Sequence, residues 1–554
     1  MKSRTSRVLC LFLIVAAVST AATASQIAGP QAPRTVAEAT DYGATSRYAD
    51  VMAFIRDLQR LSPLVRVETL CTSAEGRDVP LLVVGKPVPA SPNALSTDPR
   101  IVVYVQANIH AGEVEGKEAS LMLVRDIVLD PGAPYLDKIV LVVAPIFNAD
   151  GNERISPENR SDQPGPKQGV GVRHNGQNLD LNRDSMKLES PELRGMVRNV
   201  LVRWDPLIAV DCHTTDGAYH EETVTWSWAV NPNGDLPLLE YQRQKMFPAV
   251  NAIMKDKYRT PGLGYGMFKD FRAPEKGWAT FEPQPRYVTN YIGLRNRLSI
   301  LDENYVHADF KTRVAGNYVF LKAVLDYAVL HSDEILRLTA EADRRAVSRG
   351  LAPKEADGFG IDFDLLALPD PITIHSYEME IVERPGTWPE IKKTDRKKTW
   401  TVPYFADYRI KSSVRFPFAY LLPGTQADVA AKLLQHGVMV ERLEEPARLE
   451  VQTFMPKDIK GADRLYQGHR MNTLRGDYIL ETVDFPAGTI VVKTAQALGV
   501  LAAYLLEPES DDGLAVWNFF DRDIVPEWGR GFQAYPVRKL LQPANLATRT
   551  LRGD

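Results

Sequence analysis

RIVVYVQANIHAGE, residues 100–113, is an apolar, β-branched run that ends in two side chains able to hold a metal, His110 and Glu113. Short runs of this kind read as strands buried on both faces of a sheet. The helical pattern GKEASLMLVRDIVLD, residues 116–130, follows directly. The stretch is therefore a strand, a turn and a helix, the building block of an α/β fold. Three more apolar runs end in comparable residues. KIVLVVAPIFN (138–148) leads into Asn148-Ala-Asp-Gly151, PLIAVDCH (206–213) ends on His213, and LSILDEN (298–304) carries Glu303. In open α/β sheets ligands sit beyond the carboxyl ends of the strands. Two histidines and two glutamates are thus expected at one sheet edge. Two imidazoles, a carboxylate and an open position make a catalytic zinc site.

Each piece also has a plainer reading. A His–Glu pair three apart is common on solvated helices, but here it follows a strand and sits among glycines (Gly112, Gly116). His213 is the natural third ligand because a strand end holds a side chain rigidly. Its rival is His220, in the loop HTTDGAYH (213–220). Asp211, two residues before His213, shares its face and suits an acceptor that orients an imidazole. In NLDLNRD (178–184) the pair Asn182-Arg183 suits a carboxylate, since Arg binds one as a bidentate fork. Taken alone, that pair reads equally well as a surface salt bridge beside an Asn turn.

The ordered set His110-Ala-Gly-Glu113, Asn148-Ala-Asp-Gly151, Asp180-Leu-Asn182-Arg183, His213 and a late strand glutamate resembles the zinc carboxypeptidase family (M14, carboxypeptidase A-like metallopeptidases). The resemblance spans about residues 45–335. It implies a mixed eight-stranded sheet with helices on both faces. It also implies one zinc per chain held by His110, Glu113 and His213, with Asn182 and Arg183 on the substrate's terminal carboxylate. The family's general base falls on Glu303; Glu282 in TFEPQPR (280–286) is the rival, flanked by proline and carried by no strand. That glutamate takes a proton from water and passes it to the leaving amine. An arginine polarises the scissile carbonyl, and Arg160 and Arg173 both fit. The family's mobile tyrosine falls on Tyr287 or Tyr291 in PRYVTNY (285–291), and we take Tyr291 as the substrate contact. The long loop is also similar to that of a bacterial secreted subgroup. The implied reaction is hydrolysis of a peptide bond next to a free C-terminal carboxylate. The alternatives are an amidase acting on cell-wall peptides or N-acyl amino acids, and a non-catalytic secreted binding protein on a peptidase scaffold. The complete ligand and base set argues against the last. No HExxH and no G-x-S-x-G occurs, so other common hydrolase signatures are missing.

The rest of the chain bounds this reading. Its 554 residues exceed one ordinary core, and 44% hydrophobic and 25% charged residues are globular values. A net charge of -4 without a basic stripe excludes a nucleic-acid partner. MKSRTSR, an apolar run and Ala22-Thr23-Ala24 have the grammar of a signal peptide over 1–24. Its removal takes the formal charge from -4 to -7 and predicts an exported, periplasmic or extracellular protein with no membrane span. Only Cys71 and Cys212 remain after it, too few for a disulfide framework. Residues 25–45 read as an N-terminal lead and 46–350 as the catalytic domain. The segment 151–180 is a long loop of the sort that is often functional. Helices are predicted from Tyr48 to a stop at Pro63, over 190–204 and over 311–349. From 366 to 554 short strands dominate, among them ITIHSYEMEIV, RLEVQTFMP, DYILETVDFP and GTIVVKTAQ, and they predict a smaller strand-rich domain. One helix there, QADVAAKLLQHG, has Thr425 and Asp428 as a capping-box-like start and Gly437 as its stop.

Overall fold

A computed structural model describes residues 32–215, 218–384, 386, 389–525 and 531–552. The signal-peptide segment 1–24 and the first part of the N-terminal lead lie outside these residues. Residues 33–554 form one compact unit.

Eight strands make the central sheet: β1 (Val65–Thr72), β2 (Asp78–Val84), β3 (Ile101–Ala107), β4 (Ile139–Ala144), β5 (Ile208–Thr214), β6 (Val224–Trp228), β7 (Gly262–Gly264) and β8 (Leu298–Asn304). Their order is β1-β2-β4-β3-β5-β8-β6-β7. The four central strands β4, β3, β5 and β8 are parallel, and β2 and β6 flank them antiparallel. All residues of β3, β4, β5 and β8 are buried. This is why they read as continuous apolar runs rather than alternating ones. Helices cover both faces. Glu115–Leu129 and the 42-residue helix Phe310–Leu351 pack together on one face. On the other face lie Pro191–Met196, which continues as a π-helical stretch to Val202, and Val288–Gly293. Ser190 caps the former through the Leu193 N–H, as its position predicts.

From β3 the chain crosses to β4 on one side, and later returns to β5 on the other. The carboxyl ends of β3 and β5 therefore flank a topological switch point, where a crevice opens. Gly116 brings helix Glu115–Leu129 hard onto β5: a Cβ there would lie 2.6 Å from Cys212 Cβ. Cys212 thus faces that helix while His213, next along the strand, faces away. Among the described residues Cys71 and Cys212 are free thiols.

Beyond residue 351 strands dominate the regular structure, with one long hairpin standing as a two-stranded sheet and another at the edge of a seven-stranded sheet. One hairpin pairs Ile372–Val382 with Glu390–Val402. The other pairs β9 (Ala447–Gly461) with β10 (Asn472–Phe485). The helix Ala427–Gln435 starts one residue later than the capping pattern predicts, with Gln426 as N-cap and no side-chain bond there. Gly437 ends it in a left-handed conformation, φ +80°. One apolar core runs from Val51 and Leu58 through the central sheet to Leu501, Trp517 and Tyr535.

Candidate active site

At the switch point, His110, Glu113 and His213 bring their ligand atoms within 4.8 Å of one another. Glu113 lies between the rings: its carboxylate oxygens stand 2.9 Å from His110 Nδ1 and 2.8 Å from His213 Nδ1. The Thr214 N–H donates to the same carboxylate at 3.1 Å. The Nε2 atoms turn the other way, His110 to Asp180 Oδ1 at 3.0 Å and His213 to Asp211 Oδ2 at 2.9 Å. Both imidazoles are thus backed by a carboxylate, with Nδ1 directed at Glu113. This is the arrangement in which histidine serves as a metal ligand. The donor set, two nitrogens and one carboxylate oxygen, fits zinc.

Electrostatics follow from the same contacts. Burial disfavours charge on Glu113, but His110, Arg160 and His213 outweigh it and hold its carboxyl well below the usual range. Burial also opposes charge on His213, and Asp211 and Glu113 reverse that, raising it well above an ordinary imidazole. His220 lies elsewhere, with its Nδ1 2.8 Å from the Glu222 carbonyl oxygen and its ring on Tyr305. Burial lowers its pKa to about 4, as for a neutral core histidine.

The loops are held by their own polar groups. Asn108, at φ +67°, donates through Nδ2 to the Glu113 carbonyl. Asn148 Nδ2 donates to the carbonyls of Ile109 and Arg173, joining the β3 loop to the long loop. Asp150 accepts from the Ser73 hydroxyl, the Glu75 backbone N–H and the Arg77 guanidinium. Residues Asn148 to Gly151 therefore brace the site without entering it. At Gly112 a Cβ would lie 2.6 Å from Arg160 Nε. Only glycine lets the Arg160 side chain pass to Glu113 Oε1, which it reaches at 2.5 Å.

A cleft of about 160 Å³ opens over the histidines. Of the residues the sequence singles out, Arg160, Arg173, Asn182, Arg183 and Glu303 line it. Glu303 stands in register with His213 across the β8–β5 pair. Glu282 lines it too, from a loop, and its Oε2 accepts from the Tyr287 hydroxyl at 3.0 Å. Arg173 Nε donates to Asp180 Oδ2 at 2.7 Å. The Asn182 Oδ1 accepts from the Val288 N–H at 2.9 Å. The structure does not bring Tyr291 to the cleft. Tyr291 is fully buried, its hydroxyl bonded to His436 Nδ1 at 2.7 Å. Tyr287 occupies the cleft instead, with the Arg183 guanidinium 4.4 Å above its ring. Sequence reasoning assigned no role to Asp180, the partner of His110. Its signal was its place two residues before Asn182.

Residues 51–192 match the family described as Zinc carboxypeptidase. Carboxypeptidase 2 of Trichophyton rubrum is 23% identical over 84% of this chain and 81% of its own length. Carboxypeptidase 2 of Trichophyton tonsurans is 22% identical over 80% and 78%. These relatives are fungal, and so give no support to the bacterial subgroup. A metallo-carboxypeptidase from Burkholderia cenocepacia shares 21% identity over 52% of this chain and 69% of its own, TM-score 0.37. For the carboxypeptidase A of Helicoverpa armigera the values are 15%, 52%, 75% and 0.38. The matched segment and the curated relatives support a metallocarboxypeptidase-type hydrolase.

Proposed function

We propose that this chain is a zinc-dependent carboxypeptidase that removes residues from the free C-terminus of a peptide. One observation carries the reading: His110, Glu113 and His213 converge in the cleft that also holds Glu303 and Arg183. His110 and His213, through Nδ1, and the Glu113 carboxylate would hold the zinc. Zinc held there, one per chain, supplies Lewis acidity and lowers the pKa of water toward neutrality. Arg183 grips the substrate's terminal carboxylate with two charge-assisted hydrogen bonds, and Asn182 adds a directional donor. Tyr287, stacked on Arg183, keeps that guanidinium in one orientation. Arg160 and Arg173 line the same cleft and stabilise charge developing on the scissile carbonyl oxygen. Glu303 takes the proton of the attacking water and delivers it to the leaving amine. The relatives lend nothing to the N-acyl amino acid alternative.

The test compares a free-acid peptide with its C-terminal amide. The free acid should be cleaved with a much larger kcat/KM. Arg183→Ala should lower activity on the acid and leave the amide almost unchanged. Glu303→Gln should retain zinc and lose about 10²–10⁴-fold in kcat. Equal cleavage of acid and amide by the parent protein would sink the carboxypeptidase reading. A near-parental rate for Glu303→Gln would move the base to Glu282.

We propose further that the protein is exported. The basic start, apolar run and Ala22-Thr23-Ala24 support this. N-terminal sequencing of the protein from the periplasm or medium should read from Ser25. A chain starting at Met1 in the cytosol would refute it.

A further inference from the structure

The tip of the β9–β10 hairpin reaches into the catalytic loops across nearly three hundred residues of sequence. Tyr466 and His469 close it, Tyr466 N–H to the His469 carbonyl at 2.8 Å and His469 N–H to the Tyr466 carbonyl at 3.0 Å. Between them Gln467 has φ +51° and Gly468 φ +83°. Both central residues at positive φ define a two-residue turn of the type that favours Asn-Gly. Glutamine gains nothing from that backbone, so a strained residue there asks for a reason. Its side chain supplies one: Gln467 Oε1 accepts the backbone N–H of Asp180 at 2.8 Å. The tip is held from its other side by His469, whose Nε2 lies 2.8 Å from Glu189 Oε1.

Asp180 is where this contact matters. It is nearly fully buried, and it starts the short helical turn Leu181–Arg183. Its side chain accepts from the Asn182 N–H and from Arg173, and faces His110 Nε2. One backbone unit thus sets Asn182, Arg183 and the orientation of His110. Resting on the carboxypeptidase reading above, we infer that Gln467 is a positioning residue for that reaction. It fixes the Asp180 backbone and through it the carboxylate-binding pair and one zinc ligand. The strand-rich region thereby completes the active site.

The variant Gln467→Gly tests this, because glycine relieves the left-handed backbone while deleting the acceptor. Its Tm should equal or exceed the parent's. KM for the free-acid peptide should rise about five- to tenfold, the size set by one backbone hydrogen bond. Its kcat at saturating zinc, and cleavage of the amide, should stay within about twofold of the parent. Competition with a chelator should show zinc held several-fold more weakly. A free-acid KM within about twofold of the parent's overturns the inference, and so does an equal loss on the amide. A parent that fails to distinguish acid from amide defeats the carboxypeptidase reading instead. In that case zinc affinity decides: a Gln467→Gly protein that holds zinc as tightly as the parent overturns the positioning role.

Discussion

Glu192 lies in the first turn of the helix Pro191–Met196, with no exposed surface. Its Oε2 accepts from Asn175 at 3.1 Å, and its Oε1 has no hydrogen-bond partner among the described residues. Burial raises its pKa from 4.5 to about 7, with Asp150 and Asp184 adding to the rise. The folded state therefore keeps a proton that the unfolded chain has lost between pH 4.5 and 7. The stabilising contribution is complete below the lower value and is lost as pH rises through the upper one. Glu192→Gln removes that dependence. It should stabilise the protein at pH 8 by on the order of 2–3 kcal/mol more than at pH 4.5, at about 1.4 kcal/mol per pKa unit. Denaturant midpoints at the two pH values measure the difference, and equal shifts would show that Glu192 is ionised throughout. At this same scale the cluster of His110, Glu113 and His213 was legible, because these residues lie at or just beyond the ends of buried runs of sequence. The tyrosine was not. Tyr287 is the extended N-cap of helix Val288–Gly293, so its ring leaves the helix toward the cleft, whereas Tyr291 sits inside the helix and is buried against it. Spacing of four residues does not register that change of backbone.

The helix Glu115–Leu129 carries its own prediction. Gly116→Ala exchanges a poor helix former for the best one, a gain of about 1 kcal/mol on propensity alone. The added Cβ would nevertheless meet Cys212 Cβ at 2.6 Å and Ala107 Cβ at 3.2 Å. Overpacking of this kind costs about 1–3 kcal/mol. We expect the denaturant midpoint to fall. A rise would mean that the helix retreats freely from β5. Other elements show where pattern reading stops. The 42-residue helix was visible from its long periodicity, although its break at His331, φ -115°, was not. Strand Glu390–Val402 escaped because KKTDRKKT has no apolar alternation. Its first twelve residues are exposed or half-buried, so the pairing with Ile372–Val382 holds it rather than burial.

For the whole molecule, the contacts between the α/β part and the later strands decide whether either stands alone. Tyr291 and the Met186 carbonyl both meet His436, and the Arg295 guanidinium reaches the His436 carbonyl. Asn231 donates to the Tyr504 hydroxyl, and the helix Gly499–Leu506 is buried along its full length. A chain ended after Leu351 would expose this surface. We expect it to be insoluble, or to bind a hydrophobic dye and hold no zinc. A soluble fragment with native circular dichroism and parental zinc content would contradict that.

The sequence by itself determined which residues meet in the cleft and their order: two histidines and a glutamate at the ends of buried runs, an Asn-Arg pair between them, and a glutamate on a late strand. Those features are local, because a strand end and its side chain are neighbours along the chain. Only the tertiary structure decided which groups support them. Asp180 meets His110 across 70 positions and Gln467 meets Asp180 across 287. No periodicity links residues so far apart. Such pairs form because the sheet's switch point and a left-handed hairpin tip bring separate loops to one place.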